Sequence, residues 1–196
     1  MSAPPFLDRA AVERLAAGLD VEGALAAVLV DAVRGAAGQN VRSVLVPPVM
    51  PGVIGLMTAF RATRPRRFAT KIVCVMPDNP GRGLPAHQGL TALFDGGDGH
   101  VIGLAEAGAV TEIRTAALTA LATRHLARPG ARRHLVAGAG HQALPHLRAL
   151  ARAFPDGEFT LWARRRDAAP PRPKACRPRP PAICRPRPAL PTPSPS

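Results

Sequence analysis

A glycine turn between an apolar run and a helical pattern constrains the fold of this chain more than any other stretch. Leu135 to Ala137 form a short apolar run typical of a buried parallel strand, and G-A-G-H-Q-A (Gly138 to Ala143) follows it in the spacing G-x-G-x-x-G/A. Apolar residues then recur at helical spacing up to Phe154, and the run from Phe159 to Trp162 supplies a second strand. The stretch therefore predicts a β–α–β unit.

Such a unit is typical of the phosphate-binding turn of a dinucleotide site. The first glycine permits a tight turn, the second lets the backbone approach a pyrophosphate, and the helix N-terminus offers N–H groups and a favourable dipole. A strand-to-helix turn that binds no ligand is the alternative that this spacing leaves open. The turn residues expected to contact a dinucleotide are Gly138, Ala139, Gly140, His141 and Gln142.

The charge of the chain is concentrated at its C-terminal end. The formal net charge is +13, but the segment from Ala163 to Ser196 has nine basic residues against one acid and carries +8, which leaves +5 for residues 1–162. The basic pI therefore says little about what the folded part binds. We expect no specific nucleic-acid partner, no metal site from the cysteine and histidine spacings, no signal peptide, no membrane span and a reducing, cytoplasmic setting.

The first 130 residues alternate helical and strand patterns and predict a mixed α/β domain, followed from residue 131 by the start of a doubly wound parallel domain. Two helices are expected within residues 8–37, with Asp8 and Asp20 as N-caps and Gly35 and Gly38 closing the second. The expected strands are Arg42–Val46, Val53–Met57, Lys71–Met76, Leu90–Phe94 and Val101–Leu104, and the expected third helix is Thr111–Ala127.

Two cations stand out in this first part. Lys71 is the only lysine among residues 1–162, which hold sixteen arginines, and a lysine amine can lose its proton when desolvated whereas a guanidinium cannot. Chance in an arginine-biased composition is the alternative that this count leaves open. Arg114 shares a helical row with Ala117 and Leu121, so it is expected to point inward in the first turn of a helix, where the dipole repels a cation. A ligand carboxylate or phosphate would resolve this conflict, as would an ion pair with Glu112 or Asp78.

The ordered combination of motifs resembles the ornithine cyclodeaminase/mu-crystallin family from the first helix to about residue 164. It comprises K-I-V-C-V-M-P-D-N-P-G-R-G-L-P-A-H-Q-G (Lys71 to Gly89), L-F-D, T-E-I-R-T-A-A (Thr111 to Ala117) and the glycine turn. The resemblance implies a substrate-binding and dimerisation α/β domain (1–130) joined to a Rossmann domain. It implies that Lys71, as catalytic residue, binds an amino-acid substrate with Arg114 and Arg42, that Thr115 contacts the cofactor, and that the chain forms a homodimer.

The reaction implied by the resemblance is the NAD(P)-dependent conversion of ornithine to proline and ammonia, through hydride transfer and an imine. Relatives that reduce ketimines or pyrroline-2-carboxylate, or that act as amino-acid dehydrogenases, are the alternative within the family. Arg164 follows the second Rossmann strand, where an acid would favour NAD, so as a cofactor-binding residue it favours NADP. The alternative is that Arg164 simply begins the basic run of the tail, and the cofactor is NAD or NADP.

The resemblance stops after about residue 166. Residues 167–196 are rich in proline and arginine and repeat C-R-P-R-P, which predicts a disordered tail and an incomplete Rossmann domain (131–166) without the family's catalytic aspartate. We interpret the tail as an out-of-frame reading, which the downstream DNA tests. An inactive fragment that only binds a nucleotide or an amino acid is the alternative of another class.

Overall fold

The computed structural model describes residues 3–163, so the expectations for Arg164 and for the tail lie outside the described residues. Within this range the fold is mixed α/β, as predicted. It combines a seven-stranded sheet, a layer of helices and one parallel β–α–β unit of Rossmann type. The described helices include none that is both long and apolar enough to cross a membrane.

The chain begins with a short strand and two capped helices. Strand β1 (Phe6–Leu7) leads into α1 (Arg9–Ala17) and α2 (Val21–Val33). Asp8 accepts a hydrogen bond from the Ala11 N–H at 2.8 Å and Asp20 accepts one from the Gly23 N–H at 2.9 Å. Both N-caps therefore act as the sequence predicts, because each carboxylate satisfies a free N–H of the first helical turn.

The large sheet has the strand order β1-β7-β6-β5-β4-β2, with β3 pairing to β4. Strands β4, β5, β6 and β7 form an antiparallel meander, and β1 pairs in parallel with β7 at one edge. The strand bounds are β2 (Ala37–Gln39), β3 (Ser43–Leu45), β4 (Val53–Arg61), β5 (Arg67–Val75), β6 (His87–Asp95) and β7 (Val101–Glu106).

Several strands differ from their sequence-based bounds. The short strands β1 and β2 were not predicted, and Gly38, expected to close a helix, pairs with Phe60 of β4. The strands β4, β5 and β6 run beyond the apolar runs that predicted them, because ladder hydrogen bonds continue through polar and glycine residues. A 3₁₀ turn (Asn79–Arg82) organises the glycine- and proline-rich loop between β5 and β6, where the Asn79 side chain donates to the Pro85 carbonyl at 2.9 Å.

The third helix, α3 (Ala107–Leu126), covers one face of the sheet and begins four residues earlier than predicted. Its N-cap is Glu106, whose carboxylate accepts from the N–H groups of Gly108 and Ala109 at 2.6 and 2.7 Å. A glutamate can cap a helix when its side chain folds back on the first turn, but it is not one of the residue types, Ser, Thr, Asp and Asn, that usually mark an N-cap in a sequence.

The β–α–β unit follows α3. Strand β8 (Arg133–Ala137) pairs in parallel with β9 (Glu158–Trp162), and α4 (Ala143–Ala153) connects them. Helix α4 contacts α3 and both of these strands. Its buried side chains lie at helical spacing and close the core of the unit; they are Ala143, Leu147, Leu150 and Ala153.

Candidate active site

Lys71 lies in the middle of β5, on the sheet face that α3 covers. It is directly opposite Met57 of β4 and Thr91 of β6, and opposite residues in antiparallel strands share a face. The Lys71 Nζ donates a hydrogen bond to the Thr111 Oγ1 of α3 at 3.3 Å. The amine is thereby directed to the space between the sheet and the first turns of α3.

The surroundings of Lys71 weaken its hold on a proton. Burial lowers the pKa of the Lys71 amine, and the positive charges of Arg114 and Arg42 lower the pKa further. Both arginines therefore lie close enough to Lys71 to act on it electrostatically, although they come from distant parts of the chain. The structure brings together the three cations that the resemblance selected.

Arg114 differs from its expected placement. Because α3 starts at Ala107, Arg114 is well inside the helix rather than in its first turn, and its side chain is exposed rather than directed into the core. The buried face of the helix is formed by neighbouring alanines, which include Ala116 and Ala117. The prediction that Arg114 points inward from the first turn of its helix is therefore wrong, although Arg114 does lie near Lys71.

The cations of the site have no carboxylate partner within residues 3–163. No ion pair of Lys71, Arg42 or Arg114 occurs there, and the expected alternative partner Glu112 binds Arg9 of α1 at 3.0 Å. Glu106, the N-cap of α3, also pairs with Arg9, at 3.6 Å. Three neighbouring positive charges without an internal counter-ion form an arrangement suited to a ligand carboxylate.

Arg42 lies immediately before β3, at the edge of the sheet, and its side chain is exposed. Ser43 pairs with Leu56 of β4, so the preceding residue is at about the level of Met57 and thus of Lys71. The register of β3 and β4 explains why Arg42, 29 positions earlier in the chain, lies near enough to Lys71 to lower its pKa.

The glycine turn has the backbone that its spacing predicts. Gly138 has a φ of 120°, a backbone conformation that residues with a side chain rarely adopt. Its N–H donates to the Trp162 carbonyl at 2.8 Å. A Cβ placed at Gly140 would meet nothing within 4 Å, so the space beside this turn is open. The turn ends at the N-terminus of α4, an arrangement that fits a pyrophosphate.

The remaining residues expected at the cofactor differ in exposure. His141 is exposed, whereas the Gln142 Oε1 and the Thr115 Oγ1 are buried and have no hydrogen-bond partner in the described part of the chain. Ala139 lies in the turn itself. Helix α3 carries Thr115 beside Arg114 and packs against α4, so one helix contributes to both the lysine site and the neighbourhood of the glycine turn.

A group of possible metal ligands occurs in the β6–β7 hairpin, where side-chain atoms of Asp95, Asp98 and His100 lie within 4.8 Å of one another. Asp95 pairs with Arg67 at 2.8 Å, and Asp98 accepts from both the N–H and the ring Nδ1 of His100. Both carboxylates are therefore engaged by protein donors.

Sequence reasoning missed two hydroxyl residues beside Lys71, Thr91 and Thr111. Thr111 lies three residues before Arg114, a helical spacing that could have placed it near Arg114. Thr91 gave no such signal, because its position opposite Lys71 depends on the register between β5 and β6.

Comparison with known proteins identifies one family. The family model described as "Ornithine cyclodeaminase/mu-crystallin family" matches residues 3–176. The ketimine reductase mu-crystallin of Rattus norvegicus is 32% identical over 131 residues, which are 67% of this chain and 42% of the rat protein. The L-lysine cyclodeaminase of Streptomyces rapamycinicus is 38% identical over 112 residues, covering 54% of this chain and 31% of that protein.

Among solved structures, a Δ1-pyrroline-2-carboxylate reductase of Thermococcus litoralis, in complex with NADH and L-proline, superposes with a TM-score of 0.75 at 25% identity. The match covers 84% of this chain and 51% of that chain. The chain thus spans between 31% and 51% of the length of these relatives.

Proposed function

Because the chain belongs to the ornithine cyclodeaminase/mu-crystallin family, we propose that it carries the substrate site of an NAD(P)-dependent reductase of small cyclic imino acids, such as ketimines or pyrroline-2-carboxylate. The observation that carries the proposal is the group of three neighbouring cations, Lys71, Arg42 and Arg114, without an internal carboxylate partner among residues 3–163. An imino acid supplies the missing carboxylate.

In this proposal the two arginines hold the substrate carboxylate and the Lys71 Nζ faces the imine nitrogen. A nicotinamide cofactor, when bound, supplies the hydride that adds to the imine carbon. The reduction also needs a proton on the nitrogen, and an ammonium whose pKa is lowered by burial and by two guanidinium groups releases its proton more readily than an exposed lysine. Lys71 therefore acts as the catalytic residue of this half of the site.

The charge of the site favours an imino acid as substrate. It disfavours ornithine and lysine, the diamino acids that the cyclodeaminase hypothesis requires. A diamino acid would bring a second ammonium next to three cations, while the nearest acids of α3, Glu106 and Glu112, are paired with Arg9. A cyclic imino acid brings no such charge. The cyclodeaminase reaction stays the second candidate because of the likeness to L-lysine cyclodeaminase.

NAD or NADP is the proposed cofactor. The open space beside Gly140, the positive φ of Gly138 and the N-terminus of α4 fit a pyrophosphate, and the unpartnered Thr115 hydroxyl lies on the helix that packs against α4. We assign the contacts to residues 138–142 and to Thr115. The T. litoralis structure, which contains NADH, supports this choice.

We further propose that residues 1–130 form the substrate unit and residues 131–166 the dinucleotide unit, that the protein is cytoplasmic, and that it forms a homodimer through the sheet face opposite α3. Large apolar side chains on this face are exposed, and burying them in a dimer would stabilise it. They are Phe6, Leu56, Phe60, Phe68 and Val101.

Loss of absorbance at 340 nm tests the reaction, with NADH or NADPH and pyrroline-2-carboxylate or its six-membered homologue as substrates. We expect oxidation of the reduced cofactor that depends on the imino acid. Ammonia release from ornithine or lysine with NAD, without imine reduction, would instead support the cyclodeaminase. Fluorescence-detected binding of the nucleotide without either reaction would leave a binding protein and contradict the proposed enzyme.

A further inference from the structure

Thr91 is a polar neighbour of Lys71 in the sheet that has not yet been given a role. The two residues are opposite each other in the antiparallel pair of β5 and β6, so their side chains rise from the same face of the sheet. The Cβ atoms of such a pair are about 5 Å apart. A lysine side chain is long enough to bring its amine to a hydroxyl at this distance.

The hydroxyl of Thr91 lacks a partner. Its Oγ1 is buried and forms no hydrogen bond within residues 3–163. Leaving a buried polar atom unpaired costs about 1–3 kcal/mol, so such atoms are usually paired in at least one state of a protein. A partner for Thr91 is therefore to be sought among groups that can move.

The nature of the partner follows from the strand register. Lys71 lies directly opposite Thr91, so the register places a long, flexible donor side chain beside this hydroxyl. Lys71 is suited to this because an ammonium has three donors and only one of them, directed to Thr111, is used. The Lys71 amine thus has one threonine acceptor on α3, and the strand register offers it a second one on β6.

We propose that Thr91 is a positioning residue for Lys71, with its hydroxyl accepting a hydrogen bond from the Lys71 ammonium and holding the amine against the sheet. The inference rests on the proposed function only for the purpose of this contact, which is to hold the amine where it can bind and protonate an imino acid. Thr111 and Thr91 then define two positions of one amine, one next to the helix and one next to the sheet.

The charged groups around Lys71 make the contribution of Thr91 measurable. Arg114 of α3 and Arg42 before β3 oppose a positive charge on Lys71, and the acids of the first turns of α3, Glu106 and Glu112, are engaged by Arg9. A hydroxyl that accepts from the ammonium stabilises the charged form against the two arginines. Removal of the hydroxyl should therefore make Lys71 lose its proton at lower pH.

Lysine-specific ¹³C labelling of the full chain tests the inference, because the sequence contains only Lys71 and Lys174. The ¹³Cε signal of each lysine is followed from pH 7 to 11 without cofactor or substrate, and Lys174→Arg assigns the two signals. Thr91→Val removes the hydroxyl at nearly constant volume, and Thr91→Ser keeps it. Thr160→Val, in β9, is the matched control for this exchange in a strand.

We expect the titration midpoint of Lys71 to fall by about one pH unit in Thr91→Val, as for the loss of one hydrogen bond to a charged group. It should stay at the wild-type value in Thr91→Ser and Thr160→Val. A midpoint unchanged in Thr91→Val overturns the inference; if valine prevents folding, Thr91→Ala is judged by the same criterion. Because the titration contains no ligand, it tests the role of Thr91 even if the chain does not reduce imines.

Discussion

At the scale of single residues, the chemistry of the site depends on one amine and two guanidinium groups. Lys71 combines partial burial with two positive neighbours, and both conditions weaken its hold on a proton. Because it is the only lysine among residues 1–162, which hold sixteen arginines, the sequence left two interpretations open: a special role, since arginine cannot replace a group that releases a proton, or chance in an arginine-biased composition. Its hydroxyl neighbours could not be predicted, because they follow from strand register and helix position.

Arg114 provides the first test at this scale. It is exposed and, within residues 3–163, without an ion pair, so Arg114→Met should not lower the melting temperature. Loss of a charge-assisted contact should weaken carboxylate binding about 10- to 100-fold, measured by calorimetric titration with L-proline in the presence of NADH. Arg128→Met, at another exposed arginine, should bind as the wild type does; equal effects of both substitutions would exclude Arg114 from the site.

Gly140 provides the second test. A Cβ at this position meets no atom within 4 Å, so Gly140→Ala should leave the melting temperature unchanged. The added methyl would occupy the space into which a pyrophosphate must come, and NADH binding followed by fluorescence should weaken at least tenfold. Unchanged affinity in this variant would mean that the dinucleotide does not bind at the turn. The G-x-G-x-x-A spacing predicted the strand, the glycine turn and the helix correctly, because it encodes local backbone conformation.

At the scale of secondary-structure elements, polar contacts between helix and strand fix the layers of the first unit. Asp31 of α2 is buried and accepts hydrogen bonds from the Arg61 Nε at 2.8 Å and the Thr63 hydroxyl at 2.7 Å. Arg61 ends β4, so the pair ties α2 to the sheet. The sequence did not indicate this contact, since the partners are 30 positions apart and β4 was expected to end at Met57.

The Asp31 contact makes stability depend on pH. Hydrogen bonds from Arg61 and Thr63 lower the pKa of the Asp31 carboxyl in the folded chain. Its contribution to stability is therefore present above the carboxyl's ordinary pKa and is lost as the pH falls through the lowered folded-state pKa. Asp31→Asn should lower the melting temperature at pH 7, and its difference from wild type should shrink as the pH falls below 4.

Thermal unfolding followed by circular dichroism at several pH values measures this dependence. Asp156→Asn, at an exposed aspartate between α4 and β9, is the matched control and should melt as the wild type does at every pH. A difference between Asp31→Asn and wild type that does not change with pH would refute the assigned role of the ionised carboxylate.

At the scale of the whole molecule, α3 is the element that joins the parts. It covers the sheet around Lys71, carries Arg114 and Thr115, and packs against α4 of the β–α–β unit. The sequence predicted the mixed α/β class and the Rossmann-type unit, because their periodic patterns and glycine turn are local. The edge strands β1 and β2 are too short to give a pattern, and only their pairing partners define them.

The opposite face of the sheet gives a prediction about assembly. Phe68 is 52% exposed on that face, between Phe60 and Phe94 in the strand register. Phe68→Glu would place a charge in the proposed dimer interface, so light scattering after size exclusion should show a dimer for wild type and a monomer for the variant. Leu126→Glu, at a residue 83% exposed at the end of α3, should remain a dimer.

The most direct test of the proposed site uses the same two lysines. The ¹³Cε signals of Lys71 and Lys174 are recorded while L-proline is added to the chain in the presence of NADH. If Lys71, Arg42 and Arg114 bind an imino-acid carboxylate, the Lys71 signal shifts and saturates while the Lys174 signal stays fixed, and Arg114→Met raises the proline concentration needed. A Lys71 signal that does not respond to saturating L-proline and NADH would contradict the proposed site.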